Sequence, residues 1–172
     1  MNIYELNIPK KRVAVLIGKH GSTKRKIEKI TSTKLTIDSE LGFVTIKGED
    51  SLKTYQTKSV IEAIGRGFNP NIALSLLNDD TCFEIIPIQN FSGKNKNNLI
   101  RIKSRVIGTR GKCRKTIEFL TNTEISIYGK TVSIIGELQN VLIAKKAVED
   151  ILAGAPHSPV YKTIELSIRK LK

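Results

Sequence analysis

A chain of 172 residues with 40% hydrophobic content has room for one large domain or two small ones, and it has the composition of a folded protein. Its 29 Lys and Arg against 16 Asp and Glu leave a net charge of +13, which points to a polyanionic partner. No apolar run is long enough to span a bilayer and the start, Met1-Asn2-Ile3-Tyr4-Glu5-Leu6, lacks a signal-peptide pattern, so a cytoplasmic protein is expected.

In chain order, residues 2–8 read as a short strand with Ile3, Leu6 and Ile8 apolar, ended by Pro9. Residues 10–17 form a two-turn helix, basic at its start, and Gly18-Lys19-His20-Gly21 follows. A helix over 22–31 carries Ile27 and Ile30 on its apolar face, with Ser22 placed to cap it. Residues 34–38 alternate about Leu35 and Ile37 as a strand; Leu41-Gly42 turns the chain; residues 43–47 are the partner strand, with Phe43 or Val44 and Ile46 inward. Gly48-Glu49-Asp50 then caps a long helix to about Arg66, with Val60, Ile61 and Ile64 inward. Asn69-Pro70 opens a short linker helix over 71–77.

The same order then repeats. Residues 82–87 form a strand, and the polar stretch 89–98 reads as a flexible approach to the next helix. That helix has Leu99, Ile102 and Val106 at helical spacing, and Lys94, Arg101 and Arg105 on another face. Gly108-Thr109-Arg110-Gly111 turns into a helix with Cys113, Ile117 and Leu120 inward and Lys112, Arg114 and Lys115 outward. From Lys94 to Lys115 there are nine Lys and Arg and no Asp or Glu. Ile17-Gly18-x-x-Gly21 matches Ile107-Gly108-x-x-Gly111 at a shift of 90. Ile27-Glu28 matches Ile117-Glu118, Thr31-x-Thr33 matches Thr121-x-Thr123, and Leu35 and Ile37 match Ile125 and Ile127 at the same shift. Past the shorter turn at Tyr128-Gly129-Lys130 the shift is 88, so Ile46-x-Gly48 matches Ile134-x-Gly136. A helix over 137–152 follows, then a break at Gly154-Ala155-Pro156 and a last helix with Val160, Ile164, Leu166 and Ile168 inward. His157 reads as a capping or packing residue. The boundary falls at residue 80, giving domains 1–80, with the linker helix, and 81–172, with the C-terminal extension. The first half has 13 basic and 9 acidic residues, net +4; the second has 16 and 7, net +9.

The Gly-x-x-Gly turns carry the chemistry. Glycines let the backbone bend sharply and let a ligand approach. The helix after each turn aims its unpaired N–H groups at the loop, which favours phosphate. Arg110, Lys112 and Lys115 add mobile charge, as Lys19, Lys24 and Arg25 do in the first copy. A plain helix–turn–helix would use the same glycines for geometry alone, but two copies in one register favour the functional reading. Aromatics are few and Trp is absent, so stacking platforms are not expected to dominate. Cys82 and Cys113 with the distant His20 and His157 make no zinc set and are expected as buried thiols. No nucleophile–base pair, paired carboxylates or P-loop stands out, so no enzyme and no cofactor is expected.

The order strand–helix–Gly-x-x-Gly–helix–strand–strand–helix resembles the type I KH domain, twice. The resemblance implies an α+β fold: two tandem β-α-α-β-β-α domains, each a three-stranded antiparallel sheet with three helices on one face, packed together and followed by a C-terminal helix. It implies that Gly18–Gly21 and Gly108–Gly111 clamp the backbone of single-stranded RNA. Bases then lie in a groove beside Ile107 and the strand that holds Ser126 and Tyr128, with Arg101, Arg105, Lys112 and Arg114 extending a positive track. Residues 107–118, 125–136 and Gly154-Ala155-Pro156-His157-Ser158-x-Val160-Tyr161 are similar to the archaeal Dim/Partner-of-Nob family. That resemblance implies a small-subunit ribosome assembly factor. Its implied partners are the 3′ end of the small-subunit ribosomal RNA, a Nob-type endonuclease and the alpha subunit of translation initiation factor two, with no membrane. Two other readings stand beside it: another KH protein, exosome- or messenger-RNA-related, or a protein-docking adaptor whose glycine loops no longer touch RNA.

Overall fold

The computed structural model describes residues 1–172, and its contacts divide the chain into Met1–Asp79 and Asp80–Lys172. The first unit runs β1 (Asn2–Asn7), α1 (Lys10–Ile17), α2 (Ser22–Thr31), β2 (Thr33–Asp38), β3 (Phe43–Gly48) and α3 (Ser51–Gly65). It closes with α4 (Pro70–Ala73) and a 3₁₀ turn, Leu74–Leu77. Its sheet is antiparallel in the order β1-β3-β2, with Tyr4 and Leu35 both opposite Ile46. The three main helices gather on one face, over a core of Leu16, Ile27, Leu35, Val44, Ile46, Ile61 and Ile64. Asp50 starts α3 as a side-chain cap, accepting from Lys53 N at 3.0 Å.

The second unit repeats the plan: β4 (Thr81–Pro87), α5 (Gln89–Ser92), α6 (Lys96–Ile107), α7 (Lys112–Thr121), β5 (Glu124–Tyr128), β6 (Thr131–Glu137) and α8 (Leu138–Leu152). Its sheet is antiparallel in the order β4-β6-β5. A final helix, α9 (His157–Leu171), packs on α7 and α8 and lends Val160 and Ile164 to the core. The expected fold, two β-α-α-β-β-α halves and a C-terminal helix, is the fold found.

The repeated residues do the same work in both halves. Thr31 Oγ1 donates to Ile27 O at 2.7 Å and shares a hydrogen bond with Thr33 Oγ1 at 2.7 Å. Thr121 donates to Ile117 O at 2.6 Å and pairs with Thr123 at 2.8 Å. Glu28 and Glu118 each accept a strand N–H, from Leu35 and Ile125, at 2.8 Å. These buried polar contacts fix where the helix after each turn meets the next strand.

Five expectations are corrected. Ile30 and Leu166 are exposed, lying just off the buried stripe of their helices, and Ile3 is exposed on the face of β1 opposite Leu6. Ser22 does not cap α2; Gly21 stands at the cap position and no side chain bonds there. The polar stretch 89–98 is ordered: α5 forms one turn, and Asn95 Oδ1 caps α6 by accepting from Asn97 N and Asn98 N at 2.9 and 3.2 Å. Cys82 is only half-buried, whereas Cys113 is buried. Burial raises both thiol pKa values. Arg105 is spent inside the fold, as described below. No helix is long and apolar enough to cross a membrane.

Candidate nucleic-acid interface

The two glycine turns are built alike. Helix α1 ends where Gly18 N donates to Ala14 O at 2.9 Å, and Gly21 N reaches back to Gly18 O at 3.2 Å. Gly108 N donates to Ser104 O at 2.8 Å and Gly111 N to Gly108 O at 3.2 Å. Gly18 and Gly108 sit at φ 74° and 75°. A Cβ on Gly108 would lie 2.6 Å from Cys113 N, and one on Gly18 would lie 2.7 Å from Thr23 N. Both the dihedral and the close approach therefore require glycine. Between the glycines, His20 and Arg110 hold φ of 54° and 55°, a left-handed conformation uncommon outside glycine. Their side chains, with Lys19 and Thr109, are exposed.

The helices that leave the turns present an unbalanced positive end. Neither α2 nor α7, each ten residues long, has a side-chain cap or an acidic residue in its first turn. Their leading N–H groups and the helix dipole thus favour an anion over each turn. In the second unit Arg110, Lys112 and Lys115 are exposed around that end. In the first, Lys24 is half-buried and Arg25 exposed.

The other expected cations differ in how the fold uses them. Arg101 is exposed, with Nη2 donating to Asn98 Oδ1 at 2.7 Å. Arg114 has Nη1 3.0 Å from Glu118 Oε1 and donates weakly to Ile125 O at 3.4 Å, so its charge is shared with α7 and β5. Arg105 is taken up inside the fold. Its Nη1 and Nη2 donate to Ile151 O and Ala155 O at 2.7 and 2.6 Å, at the end of α8 and the turn beyond. In the first unit Arg12, about one helical turn earlier in the repeat register, makes comparable bonds, donating to Ile64 O at 2.8 Å and Phe68 O at 2.9 Å. Both arginines satisfy helix-end carbonyls from a neighbouring helix.

Ile107, the last residue of α6, is half-buried. β5 pairs only with β6, so its far edge is open. The N–H and C=O of Ile125 face Glu118 and Arg114 on that edge. Strand alternation places the N–H and C=O of Ile127 on the same edge, one step toward Tyr128. Ser126 and Tyr128 are half-buried beside it.

Helix α9 braces this turn from behind. His157 Nε2 donates to Arg105 O at 2.8 Å, near the end of α6. The Tyr161 side chain lies beside Cys113 and Thr116 at the start of α7, and burial pushes its pKa up to about 12. His157 packs, as expected, with its ring also 6.2 Å from that of Tyr161.

One residue escaped the sequence reading. Phe119 is 85% exposed on α7, in the register of Lys112, Lys115 and Thr116. An aromatic at the fourth place of an outward i, i+3, i+4, i+7 set is the signal that would have found it.

Comparison with known proteins places this geometry. The profile of the eukaryotic type KH-domain (KH-domain type I) matches residues 82–169, and that of the KH domain matches residues 3–63. A KH domain-containing protein of Methanocaldococcus jannaschii is 47% identical over 171 residues, covering 97% of this chain and 74% of the relative. The RNA-binding protein pno1 of Dictyostelium discoideum is 29% identical over 166 residues, covering 92% of this chain and 69% of its own length. The crystal structure of Dim2p from Pyrococcus horikoshii OT3 is similar with a TM-score of 0.90 at 43% identity, over 96% of this chain and 99% of that one. A Dim2p chain in the crystal structure of an a/eIF2alpha-aDim2p-rRNA complex from the same organism is similar with a TM-score of 0.91 at 42% identity, over 98% and 95%.

Proposed function

This chain belongs to the PNO1/Dim2 family of KH-domain RNA-binding proteins, and from that premise we propose that it binds single-stranded RNA at the 3′ end of the small-subunit ribosomal RNA during subunit assembly. The observation that carries the reading is the second turn. An uncapped helix start, two glycines and the exposed Arg110, Lys112 and Lys115 meet there beside an open strand edge. Phosphates sit over Gly108–Gly111, held by backbone N–H groups and Arg110, with Arg101 and Arg114 flanking. Bases enter between Ile107 and β5, where the backbone of Ile127 meets their edges. The role is binding, not catalysis.

The first turn has the same backbone, so Gly18, Lys19, His20, Gly21, Lys24 and Arg25 form a second, weaker phosphate site. The charge division, +8 for Asp80–Lys172 against +5 for Met1–Asp79, gives the second unit most of the affinity. A complex of a similar chain with a/eIF2alpha and rRNA supports the alpha subunit of initiation factor two as a partner here. The resemblance to Dim and Partner-of-Nob proteins supports a Nob-type endonuclease as another, in the cytoplasm where subunits mature.

The test replaces Thr109 and Arg110 together by Asp in the full chain. Aspartate tolerates the left-handed backbone at position 110, and neither side chain is buried, so the fold survives. Affinity for a ribosomal 3′-end fragment is measured at several salt concentrations, with circular dichroism on the same samples. It should fall, and the log–log salt slope should flatten by roughly 0.7 for each phosphate no longer held. The matching Lys19→Asp/His20→Asp variant should cost less. A folded Thr109→Asp/Arg110→Asp variant with unchanged affinity and slope would leave a protein-docking adaptor as the better reading.

A further inference from the structure

The outer face of α7 carries a feature that the phosphate clamp does not use. Thr109, Arg110, Lys112, Lys115, Thr116 and Phe119 line an open cleft of about 760 Å³. Phe119 is 85% exposed, so the chain itself covers almost none of its ring. Three of the six lining residues are cations and none is acidic. Leaving an aromatic ring in water costs free energy that its own fold does not recover here.

We propose that this cleft is a second RNA subsite, in which Phe119 stacks one unpaired base of the strand as it leaves the turn while Lys112 and Lys115 hold the adjoining phosphate. The proposal rests on the loop-clamp reading and extends its footprint. Three observations choose this occupant. Thr109 and Arg110 belong both to the turn and to the cleft, so a strand clamped at the turn passes directly into it. The rim is wholly positive, which fits a phosphodiester and opposes a basic peptide. The apolar component is a single flat ring, which matches one base face. A lipid surface would call for several apolar side chains on that face, and only Phe119 is there.

The first unit shows what the feature adds. At the shift of 90, the face Lys112, Lys115, Thr116 and Phe119 corresponds to Ser22, Arg25, Lys26 and Lys29. The backbone is the same and the charge is present, but a lysine stands where the ring stands. The first turn can therefore hold phosphates without stacking a base beyond them.

The experiment uses the full chain and two sets of RNA. One is a four-nucleotide single strand from the ribosomal 3′ end; the other carries two further nucleotides at its 5′ or its 3′ side, with 2-aminopurine at the added position. One of the two extensions should tighten binding at least about five-fold, the size of one base stack, and quench the 2-aminopurine. Phe119→Tyr should keep the gain. Phe119→Lys should lose it while binding the four-nucleotide strand as the parent does. That lysine decides between mechanisms: a purely electrostatic face gains affinity from the extra charge, whereas a stacking face loses it. Extended-strand binding that is unchanged or tighter in Phe119→Lys overturns the subsite, as does a variant that loses only binding to a/eIF2alpha. If the parent fails to bind the four-nucleotide strand, the loop clamp itself falls. If it binds but shows no Phe119-dependent gain, only the subsite falls.

Discussion

Arg105 and Arg12 show what a linear reading of charge leaves out. Both stand among basic neighbours, Arg105 in a window of nine cations, and spacing alone puts Arg105 with Arg101 on an exposed face. The guanidinium of Arg105 instead bonds carbonyls 46 and 50 positions away, and that of Arg12 bonds carbonyls 52 and 56 positions away. Nothing local in sequence marks such partners, which belong to another helix end. Arg105→Met should therefore act on stability. Losing two charge-assisted hydrogen bonds, with Ile151 O left to Gly154 N alone and Ala155 O left without Arg105, costs about 1.5–3 kcal/mol, read as a lower denaturant midpoint at unchanged m. At temperatures where the variant is folded, its RNA affinity and salt slope should match the parent. A flattened slope at full stability would return Arg105 to the phosphate track. By contrast Thr31, Thr33 and Glu28, with Thr121, Thr123 and Glu118, were legible because their bonds span only two to seven residues and recur in one register.

Among the elements, the helix–turn–helix pairs were readable because glycine is required at fixed offsets and the apolar stripes repeat at helical spacing. The polar approach before α6 was not, since one turn of helix capped by a lone Asn95 leaves little periodic trace. The attachment of α9 was also hidden. Val160 and Ile164 announced a packed helix, but the placement of Tyr161 beside Cys113 and Thr116 joins elements more than forty residues apart. That placement has a pH signature. The Tyr161 pKa rises from 10.0 to about 12, chiefly through burial and then through the neighbouring Cys113. The folded state thus binds the phenolic proton more tightly than the unfolded chain does. The associated stability is fully present below pH 10 and is lost as pH climbs toward 12. The parent protein should lose stability across that window more steeply than Tyr161→Phe, in denaturant titrations at fixed ionic strength. Parallel curves for the two proteins would show that Tyr161 titrates freely and does not anchor α9.

For the whole molecule, two copies of one architecture carry unequal charge, and this inequality makes a prediction that no single residue makes. A ligand that binds only the folded form stabilises whatever it touches, by roughly 2.7 kcal/mol at a hundred-fold excess over Kd. A strand held mainly by the second unit should therefore slow amide exchange there and leave the first unit nearly as it was. Within the turn Thr109 and Arg110 should respond most, because the N–H groups of Gly108, Gly111 and Lys112 already bond Ser104 O, Gly108 O and Thr109 O. β5 should respond next, at Ile127 on the open edge, while Ile125 stays protected with or without RNA because Glu118 already takes its N–H. In the first unit the same backbone exists around Gly18–Gly21, with less net charge in the unit, so protection there should appear only at higher RNA concentration. Hydrogen exchange read by mass spectrometry on the full chain, with and without a ribosomal 3′-end fragment, resolves the two turns in one sample. Stronger or earlier protection over 10–38 than over 99–128 would reverse the assignment and make the less charged unit the primary RNA site. Net charge would then report only the encounter with a polyanion, and the geometry of the first turn would decide where the strand comes to rest.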